Sequence, residues 1–290
     1  MKKAFLQLHI AVFLAGFTGL LGRLITLNEA MLVWYRLLLS AATMWCLFGY
    51  QKKIQPISKK EIAAIIGVGG IAALHWLSFY GSIKYSNISV ALVCFSAVGF
   101  FTAVFEPLIN NHRFNKIDLL LGLLVMLGIY IIFQFDPSYK IGIAVGLVSA
   151  LLGALFPVYN RRFMQRMNAE TLLTWQMSGG FLVLTALLPL YLFLFPTQYF
   201  IPVLSDWFWL LVLSWLCSVW AFHLSANALK KISAFTVNLT YNLEPVYGIL
   251  LAFVVYHENK ELKNSFYFGL AIILMAVLLQ TARIYKQHKK

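Results

Sequence analysis

The chain has 290 residues, of which 61% are hydrophobic and only 11% are charged, and its mean hydropathy is +0.79. An average soluble domain is about 45–50% apolar and about 25% charged, so a water-soluble fold cannot bury this much apolar surface. The formal net charge of +13 is spread over many short loops without a basic stripe, which argues against nucleic acid as a partner and favours the lipid bilayer.

Ten long apolar segments follow one another along the chain, and short polar stretches separate them. A bilayer core about 30 Å thick needs roughly 20 apolar residues in helical conformation. The segments span approximately residues 5–22, 31–50, 62–82, 88–109, 118–135, 141–159, 171–195, 207–229, 234–256 and 266–285. None alternates in polarity as the strands of a membrane barrel do. We therefore predict an all-α integral membrane protein with ten transmembrane helices.

The distribution of lysine and arginine predicts the orientation of these helices. Cytoplasmic loops of membrane proteins carry the excess of both residue types. With the N-terminus inside, 17 of them lie at the inner side, 5 lie at the outer side and Arg36 lies within a span. We therefore predict a multi-pass protein of the cytoplasmic membrane with both termini in the cytoplasm. The three cysteines lie inside apolar spans and predict no metal site.

Arg36 and Glu106 are ionisable candidates within spans of the first half. Arg36 follows Trp34 and Tyr35 near the outer end of span two, and Glu106 lies close to the inner end of span four. A charged side chain in a span is costly, by about 2.5–3.5 kcal/mol on insertion scales. Snorkelling to the interface is the ordinary interpretation of Arg36, and contact with a substrate is the alternative. We expect Glu106 to reach water or to pair with Arg113, and to mark an inner gate.

Histidine and tryptophan side chains mark spans three, seven and eight. His75 and His223 lie one residue apart when the two halves of the chain are aligned, and an imidazole titrates near neutral pH. Both are candidates for a proton relay, and quiet hydrogen bonding within the bundle is the alternative. Trp76, Trp175 and Trp220 are candidates for an aromatic wall around an organic cation, although such rings more often pack or lie at the interface.

Span nine carries the strongest candidate for a substrate-binding or coupling site. Glu244 lies near its middle and precedes Pro245, which removes one helix hydrogen bond and can leave a carbonyl group free. Tyr241 lies one turn earlier on the same face, and Asn238 and Asn242 extend the polar surface. A carboxylate at this depth can bind a cationic group or exchange a proton. The alternative is a protonated carboxyl group that bonds a neighbouring helix.

The second half of the chain shows a weak similarity to the first. A shift of 147 residues aligns Ser78 with Ser225, Lys84 with Lys231, Ser86 with Ser233, Ser89 with Thr236 and Gly122 with Gly269. A smaller shift aligns Gly16 with Gly153 and Arg36 with Gln176, so Gln176 shares the two interpretations of Arg36. Five spans per half would make matching helices cross the membrane in opposite directions. We predict two inverted five-helix repeats, residues 1–136 and 137–290, with chance similarity of common glycines and serines as the alternative.

The end of the chain resembles a known family of membrane proteins. The segment SAFTVNLTYNLEPVYGILLAFVVYHENKELKNSFYFGLAIILMAVL is similar to the repeat pattern of EamA-type permeases in the drug/metabolite transporter superfamily. In that pattern a small residue, a proline, an acidic residue that closes the fourth helix and a glycine in the fifth helix follow one another. They correspond here to Ala234, Pro245, Glu258 and Gly269. Arg36 is similar to the basic residue that the family often places early in its second helix.

The first half departs from the family pattern. Val98 stands where the proline would be, Asn111 or His112 stands where the closing acid would be, and a Glu-Pro pair is additional. The resemblance nevertheless extends over nearly the whole chain. It implies a central cavity lined mainly by helices 1, 3, 4, 6, 8 and 9, and alternating access between the two faces.

The resemblance also implies a function. We expect a secondary transporter, and more specifically an exporter, of a small metabolite, amino acid or drug-like solute. The expected energy source is a proton gradient or the gradient of the solute itself, and no cofactor is expected. A second copy of the chain is a further candidate partner.

Two other functions are open at this stage. A membrane-embedded enzyme would need clustered catalytic groups, and the sequence contains no H-E-x-x-H motif, no G-x-S-x-G motif and no paired aspartates in a span. A scaffold without transport activity would not need an inverted repeat. We therefore predict a transporter and not an enzyme.

Overall fold

A computed structural model of the protein describes residues 2–111, 113–135, 137–229, 240–241 and 243–287. Within those ranges the secondary structure is helical and contains no β-strand. The helices are α1 (Lys2–Leu24), α2 (Glu29–Tyr50), α3 (Lys59–Tyr85), α4 (Ile88–Phe95), α5 (Val98–Asn110), α6 (Lys116–Phe135), α7 (Lys140–Phe163), α8 (Ala169–Leu194), α9 (Leu204–Leu211), a π-helix (Val212–Trp220), α10 (Ala221–Leu229), α11 (Glu244–Tyr256) and α12 (Asn264–Gln287). Short 3-10 turns lie at Pro137–Tyr139 and Glu258–Lys260.

The predicted spans correspond closely to these helices. In the described ranges, nine spans are long and apolar enough to cross a membrane. Helices α4 and α5 form one of them, and α9 with the π-helix and α10 forms another. Most of the first half of predicted span nine lies outside the described residues, and α11 is a shorter apolar helix. The prediction of an all-α membrane protein is confirmed, whereas the count of ten helices stays a prediction.

Polar side chains set where several helices begin. Asn28, Asn87 and Asn168 each accept a hydrogen bond from a backbone N–H in the first turn of α2, α4 and α8. Ser58 and Glu61 form a reciprocal capping box at the start of α3. Each cap satisfies backbone donors that the helix itself leaves free. The loops between spans can therefore stay short.

The two ends of the bundle differ in their loops. The end that holds residues 51–58 and 164–168 is named the basic face, because most lysines and arginines of the sequence lie at that side. There the backbone N–H of Asn168 donates to the side chain of Gln55 over 3.0 Å. The opposite end is named the Glu258 face. There Asp206 accepts hydrogen bonds from the backbone N–H and the hydroxyl group of Thr26 over 2.8 and 2.7 Å.

Close contacts between helices depend on glycine at a few positions. Helix α3 packs along α7 and α8, α6 packs along α12, and α1 packs against α10 and α11. A Cβ atom at Gly128 would lie 2.7 Å from the carbonyl oxygen of Gly269, where α6 crosses α12. A Cβ atom at Gly16 would lie 2.9 Å from the carbonyl oxygen of Glu244, where α1 meets the start of α11. Only glycine lets the backbones approach this closely.

The fourth and ninth spans share a local irregularity. The backbone N–H of Ala97 donates to Cys94 over 3.0 Å just before α5, and that of Leu243 donates to Thr240 over 3.0 Å just before α11. These bonds join residues three apart and tighten the chain relative to an α-helix. Both α5 and α11 therefore begin after a tightened turn within an apolar part of the chain. Interrupted helices of this kind lie at the binding sites of many transporters.

Helices α5 and α11 also end alike, because Asn111 and His257 both have a φ of 53°. The interval between these residues is 146 positions, one fewer than the sequence alignment gave. In this structural register Val98 stands opposite Glu244, whereas the sequence alignment placed it opposite Pro245. The two halves thus share local geometry where their sequences have diverged.

Candidate functional site

A buried arginine joins spans of both halves of the chain. Arg36 of α2 is 3% exposed. Its Nη1 donates to the hydroxyl group of Tyr80 in α3 over 2.9 Å, and its Nε donates to Oγ of Ser218 in the π-helix over 3.1 Å. The guanidinium Cζ lies 4.2 Å from the ring centroid of Trp76, which is the geometry of a cation–π contact. We name Arg36, Trp76, Tyr80 and Ser218 the arginine cluster.

The burial of Arg36 excludes snorkelling in this structure. A snorkelling side chain would reach the interface, whereas this guanidinium lies between helices and bonds two hydroxyl groups. No carboxylate oxygen of the described residues lies within 4.0 Å of it. A buried charge is costly unless it is hydrogen-bonded or paired. Within the described part of the chain, the guanidinium is therefore held by neutral groups.

The π-helix shapes one wall of the arginine cluster. A π-helix has a wider turn than an α-helix and is often found at functional sites. Ser218 donates from Oγ to the carbonyl oxygen of Leu213, five residues earlier, over 3.1 Å. Ser214 donates to the backbone carbonyl oxygen of Arg36 over 3.4 Å. The widened turn thus presents two hydroxyl groups to α2 at the position of the arginine.

Glu244 lies within electrostatic reach of the arginine cluster. It is the first residue of α11 and is partly buried. Its carboxylate interacts electrostatically with Arg36, which in turn bonds Tyr80. The backbone carbonyl group of Glu244 faces Gly16 of α1. The sequence prediction placed Glu244 mid-helix, and the structure places it at the start of a half-helix near a buried cation.

The residues predicted around Glu244 are only partly described. Tyr241 forms a hydrogen bond with Ser225 and packs against α1 and α10. Asn238 and Asn242 lie outside the described residues. One turn beyond Glu244, the hydroxyl group of Tyr247 lies 3.3 Å from Nδ1 of His9. Polar contacts therefore continue from α11 to its neighbours, and the roles of these residues stay predictions.

The histidine predictions lead to two different environments. His75 is buried, and its Nδ1 lies 2.9 Å from the carbonyl oxygen of Ser149 and 3.0 Å from its Oγ. The rings of Phe95 and Phe156 lie beside the imidazole. This geometry supports the alternative of hydrogen bonding within the bundle. His223 is partly buried in α10, and its role stays a prediction.

The structure does not bring the span-seven candidates to the arginine cluster. Trp175 contacts the ring of Trp45 edge-on, with centroids 5.2 Å apart, and Trp45 is 39% exposed on the surface of the bundle. Gln176 is buried and accepts a hydrogen bond from Asn160 over 3.0 Å. Trp220 is exposed. Of the predicted aromatic wall, only Trp76 contacts Arg36.

Comparison with known proteins identifies the family. The sequence pattern of the EamA-like transporter family matches residues 2–134 and again residues 140–282. The chain belongs to the EamA-like transporter family. It is also 24% identical over 270 residues to an uncharacterized transporter of Haemophilus influenzae. The aligned region covers 87% of this chain and 85% of the relative. A solved crystal structure with 17% identity matches 99% of both chains with a TM-score of 0.65, which shows a shared fold.

In this EamA-like transporter a cavity of about 430 Å³ lies at the basic face between α5 and α7. The residues that line it are Glu106, Asn110, Val158, Arg161, Arg162 and Gln165. Glu106 accepts a hydrogen bond from Arg161 over 2.9 Å. The sequence had suggested Arg113 as its partner, but the ion pair joins α5 to α7 instead. The expected role of Glu106 at an inner gate stays a prediction.

Two residues of the arginine cluster, Tyr80 and Ser218, were not predicted from the sequence, and neither was their neighbour Ser214. Tyr80 lies four residues after Trp76, so the helical repeat alone places both on one face of α3. Ser214 and Ser218 have the same spacing in span eight. Their contact with Arg36 depends on how α2, α3 and the π-helix pack together. The signal available in the sequence was the four-residue spacing of these side chains, which places Tyr80 on the face of Trp76 and Ser214 on the face of Ser218.

Proposed function

We propose that this protein is a secondary transporter that moves a small organic solute across the cytoplasmic membrane by alternating access. The observation that carries this proposal is the arginine cluster. Among the described residues, the buried cation Arg36 bonds two hydroxyl groups and interacts electrostatically with Glu244 at the start of α11. Such an arrangement can bind a charged solute. The match of the family pattern to both halves of the chain supports the two-repeat arrangement that such a mechanism needs.

Each charged group has a proposed role. Arg36 binds an anionic group of the solute, because a guanidinium offers several fixed hydrogen-bond donors. Trp76 covers the face of the guanidinium and limits the access of water. Glu244 binds a cationic group of the solute or exchanges the coupling proton. The proposed energy source of this secondary transporter is an ion gradient or the solute gradient.

We further propose that the basic face lies in the cytoplasm and that transport runs outward. The excess of lysine and arginine at the basic face supports this orientation. In that orientation the cavity beside Glu106 and Arg161 opens toward the cytoplasm. A solute from the cytoplasm would enter the bundle at this side.

Two linked experiments test the proposal. The first compares metabolites inside and outside cells that overproduce the protein with cells that lack it. The second measures exchange of the identified solute in proteoliposomes, with empty liposomes as the control. We expect accumulation outside the overproducing cells and protein-dependent exchange. Conversion of a solute or lipid without exchange would indicate an enzyme, and neither conversion nor exchange would indicate a scaffold.

A further inference from the structure

One buried carboxylate ties the two halves of the chain together at the Glu258 face. Glu258 follows α11 and is 0% exposed. It accepts hydrogen bonds from Nη1 of Arg23 over 2.8 Å, the backbone N–H of Ile88 over 3.0 Å and the backbone N–H of Ser89 over 2.9 Å. The hydroxyl group of Ser89 donates a fourth bond over 2.6 Å. A single side chain thus bonds the end of α1 and the start of α4.

The four bonds suit a carboxylate and no neutral group. Ile88 and Ser89 are the first residues of α4, where free N–H groups and the helix dipole favour a negative charge. Arg23 adds a positive charge, and its Cζ lies 4.3 Å from the ring centroid of Tyr256. Hydrogen bonds to charged groups are roughly twice as strong as those between neutral groups. The charge of Glu258 therefore stabilises the contact between α1, α4 and the end of α11.

Neighbouring contacts seal the same face. Asp206 at the start of span eight bonds Thr26 in the turn between α1 and α2. Lys84 near the end of α3 donates to the carbonyl oxygens of Ile25 and Leu27 in that turn. The α1–α2 turn is thus fixed to α3 and to α9. Movement of α1 away from α4 and α11 would break these contacts together with those of Glu258.

The contacts at the basic face are exposed, unlike those of Glu258. The ion pair that joins span four to span six is exposed, with Arg161 at 74% and Glu106 at 37%. Arg162 donates to the carbonyl oxygen of Ile109 and to the side chain of Asn110. These contacts lie beside the cavity of about 430 Å³.

We infer that Arg23 and Glu258 form the gate of the Glu258 face, and that this gate opens when Glu258 leaves Arg23 and the start of α4. The inference rests on the proposed function. In the structure the Glu258 contacts are buried, whereas the ion pair at the basic face is exposed. Loss of the charge at residue 258 weakens all four bonds at once and shifts the population toward conformations that open at this face.

Cysteine labelling tests the gate without any solute. Leu92 is buried one turn below Ser89 and contacts the α1–α11 junction. Cys46, Cys94 and Cys217 are first replaced, and Leu92→Cys is introduced as the single cysteine. A membrane-impermeant maleimide is then added from the Glu258 side, and the rate of labelling is measured. We expect Glu258→Gln to raise its labelling rate by about tenfold or more. Val203→Cys, exposed on the same side, gives the labelling rate of an open position.

Matched variants separate the gate from a general loosening of the fold. Arg23→Gln should raise the labelling of Leu92→Cys in the same direction, and adding it to Glu258→Gln should have little further effect. Glu106→Gln, at the basic face, should not raise it. Ser89→Ala removes only one of the four donors to Glu258. It replaces Glu258→Gln in the labelling experiment if Glu258→Gln does not fold.

The outcomes distinguish the gate from the proposed function. Faster labelling in the Glu258 and Arg23 variants, and not in the Glu106 variant, supports the gate whether or not a solute is exchanged. Folded Glu258 or Ser89 variants whose Leu92→Cys is labelled at the wild-type rate overturn the gate, even if exchange is present. Equal acceleration by Glu106→Gln also overturns it, because the effect would then be a general loosening.

Discussion

Arg36 donates a hydrogen bond to the hydroxyl group of Tyr80 over 2.9 Å, and neither side chain is exposed by more than a few per cent. The bond joins α2 to α3 in the buried interior of the bundle. Because the Tyr80 hydroxyl group accepts from a cation, its own proton is directed away from Arg36. The guanidinium is thereby fixed in orientation over Trp76. This fixed cation is the centre of the proposed binding site.

Replacement of Arg36 by lysine tests the geometry of the site. An ammonium group keeps the positive charge, but it cannot bond both Tyr80 and Ser218 and also stack flat on Trp76. We expect Arg36→Lys to lower solute exchange in proteoliposomes by about tenfold or more, because one well-placed charged hydrogen bond is worth about that factor.

Trp45→Phe provides the matched control for Arg36→Lys. Trp45 lies on the same helix at the surface of the bundle and donates to Ser178 over 2.9 Å. Its replacement should leave the exchange rate close to that of the wild type. Exchange by Arg36→Lys at the wild-type rate would show that the arginine only packs the helices.

The proposed role of Glu244 predicts a change in pH response. A glutamine has nearly the same shape but cannot release or take up a proton. We expect wild-type transport to change with pH and the Glu244→Gln variant to lose that dependence. Glu261→Gln, at an exposed position beyond α11, should keep it. An unchanged rate and pH response in Glu244→Gln would exclude proton coupling through this residue.

Two glycines of α3 provide a test of the helix packing. A Cβ atom at Gly69 would overlap the backbone of α8 at Gln176 and Gly180, whereas a Cβ atom at Gly67 would meet nothing within 4 Å. We expect Gly69→Ala to lower the free energy of unfolding in detergent by about 1–3 kcal/mol.

Gly67→Ala should be neutral or slightly stabilising, by up to about 1 kcal/mol, because alanine favours the helix. Both variants can be compared by thermal unfolding in the same detergent. Equal effects of the two substitutions would mean that α3 and α8 do not approach as closely as described.

The sequence predicted the fold well because the bilayer constrains it strongly. Apolar length alone located the spans, since each backbone polar group in lipid must be bonded within a helix. The structure differs from the predicted regular helices where the backbone is locally wider or tighter than an α-helix. Hydropathy carries no signal for the π-helix at Val212–Trp220 or for the tightened turn at Ala97. The local geometry of the two halves has a register that differs by one residue from the sequence alignment at α5 and α11.

The site was harder to predict from sequence than the fold. Arg36 and Trp76 were candidates because of their chemistry, and the structure places them in contact. Trp175 was a candidate for the same reason, but the rotation of α8 turns it toward Trp45 at the bundle surface. Helix rotation depends on packing between spans, and in these largely apolar helices no clear polar stripe reveals it. Glu258 was noted only as part of the family pattern.

The accessibility of Cys217 from the two sides of the membrane tests alternating access most directly. Cys217 is buried in the π-helix next to Ser218, so its thiol reports on the arginine cluster. In a variant that retains only this cysteine, a membrane-impermeant maleimide is added to one side of oriented vesicles and then, in separate samples, to the other. We predict labelling from each side, slower than at an exposed position. Labelling from one side only, or from neither, in folded protein would contradict transport through this site.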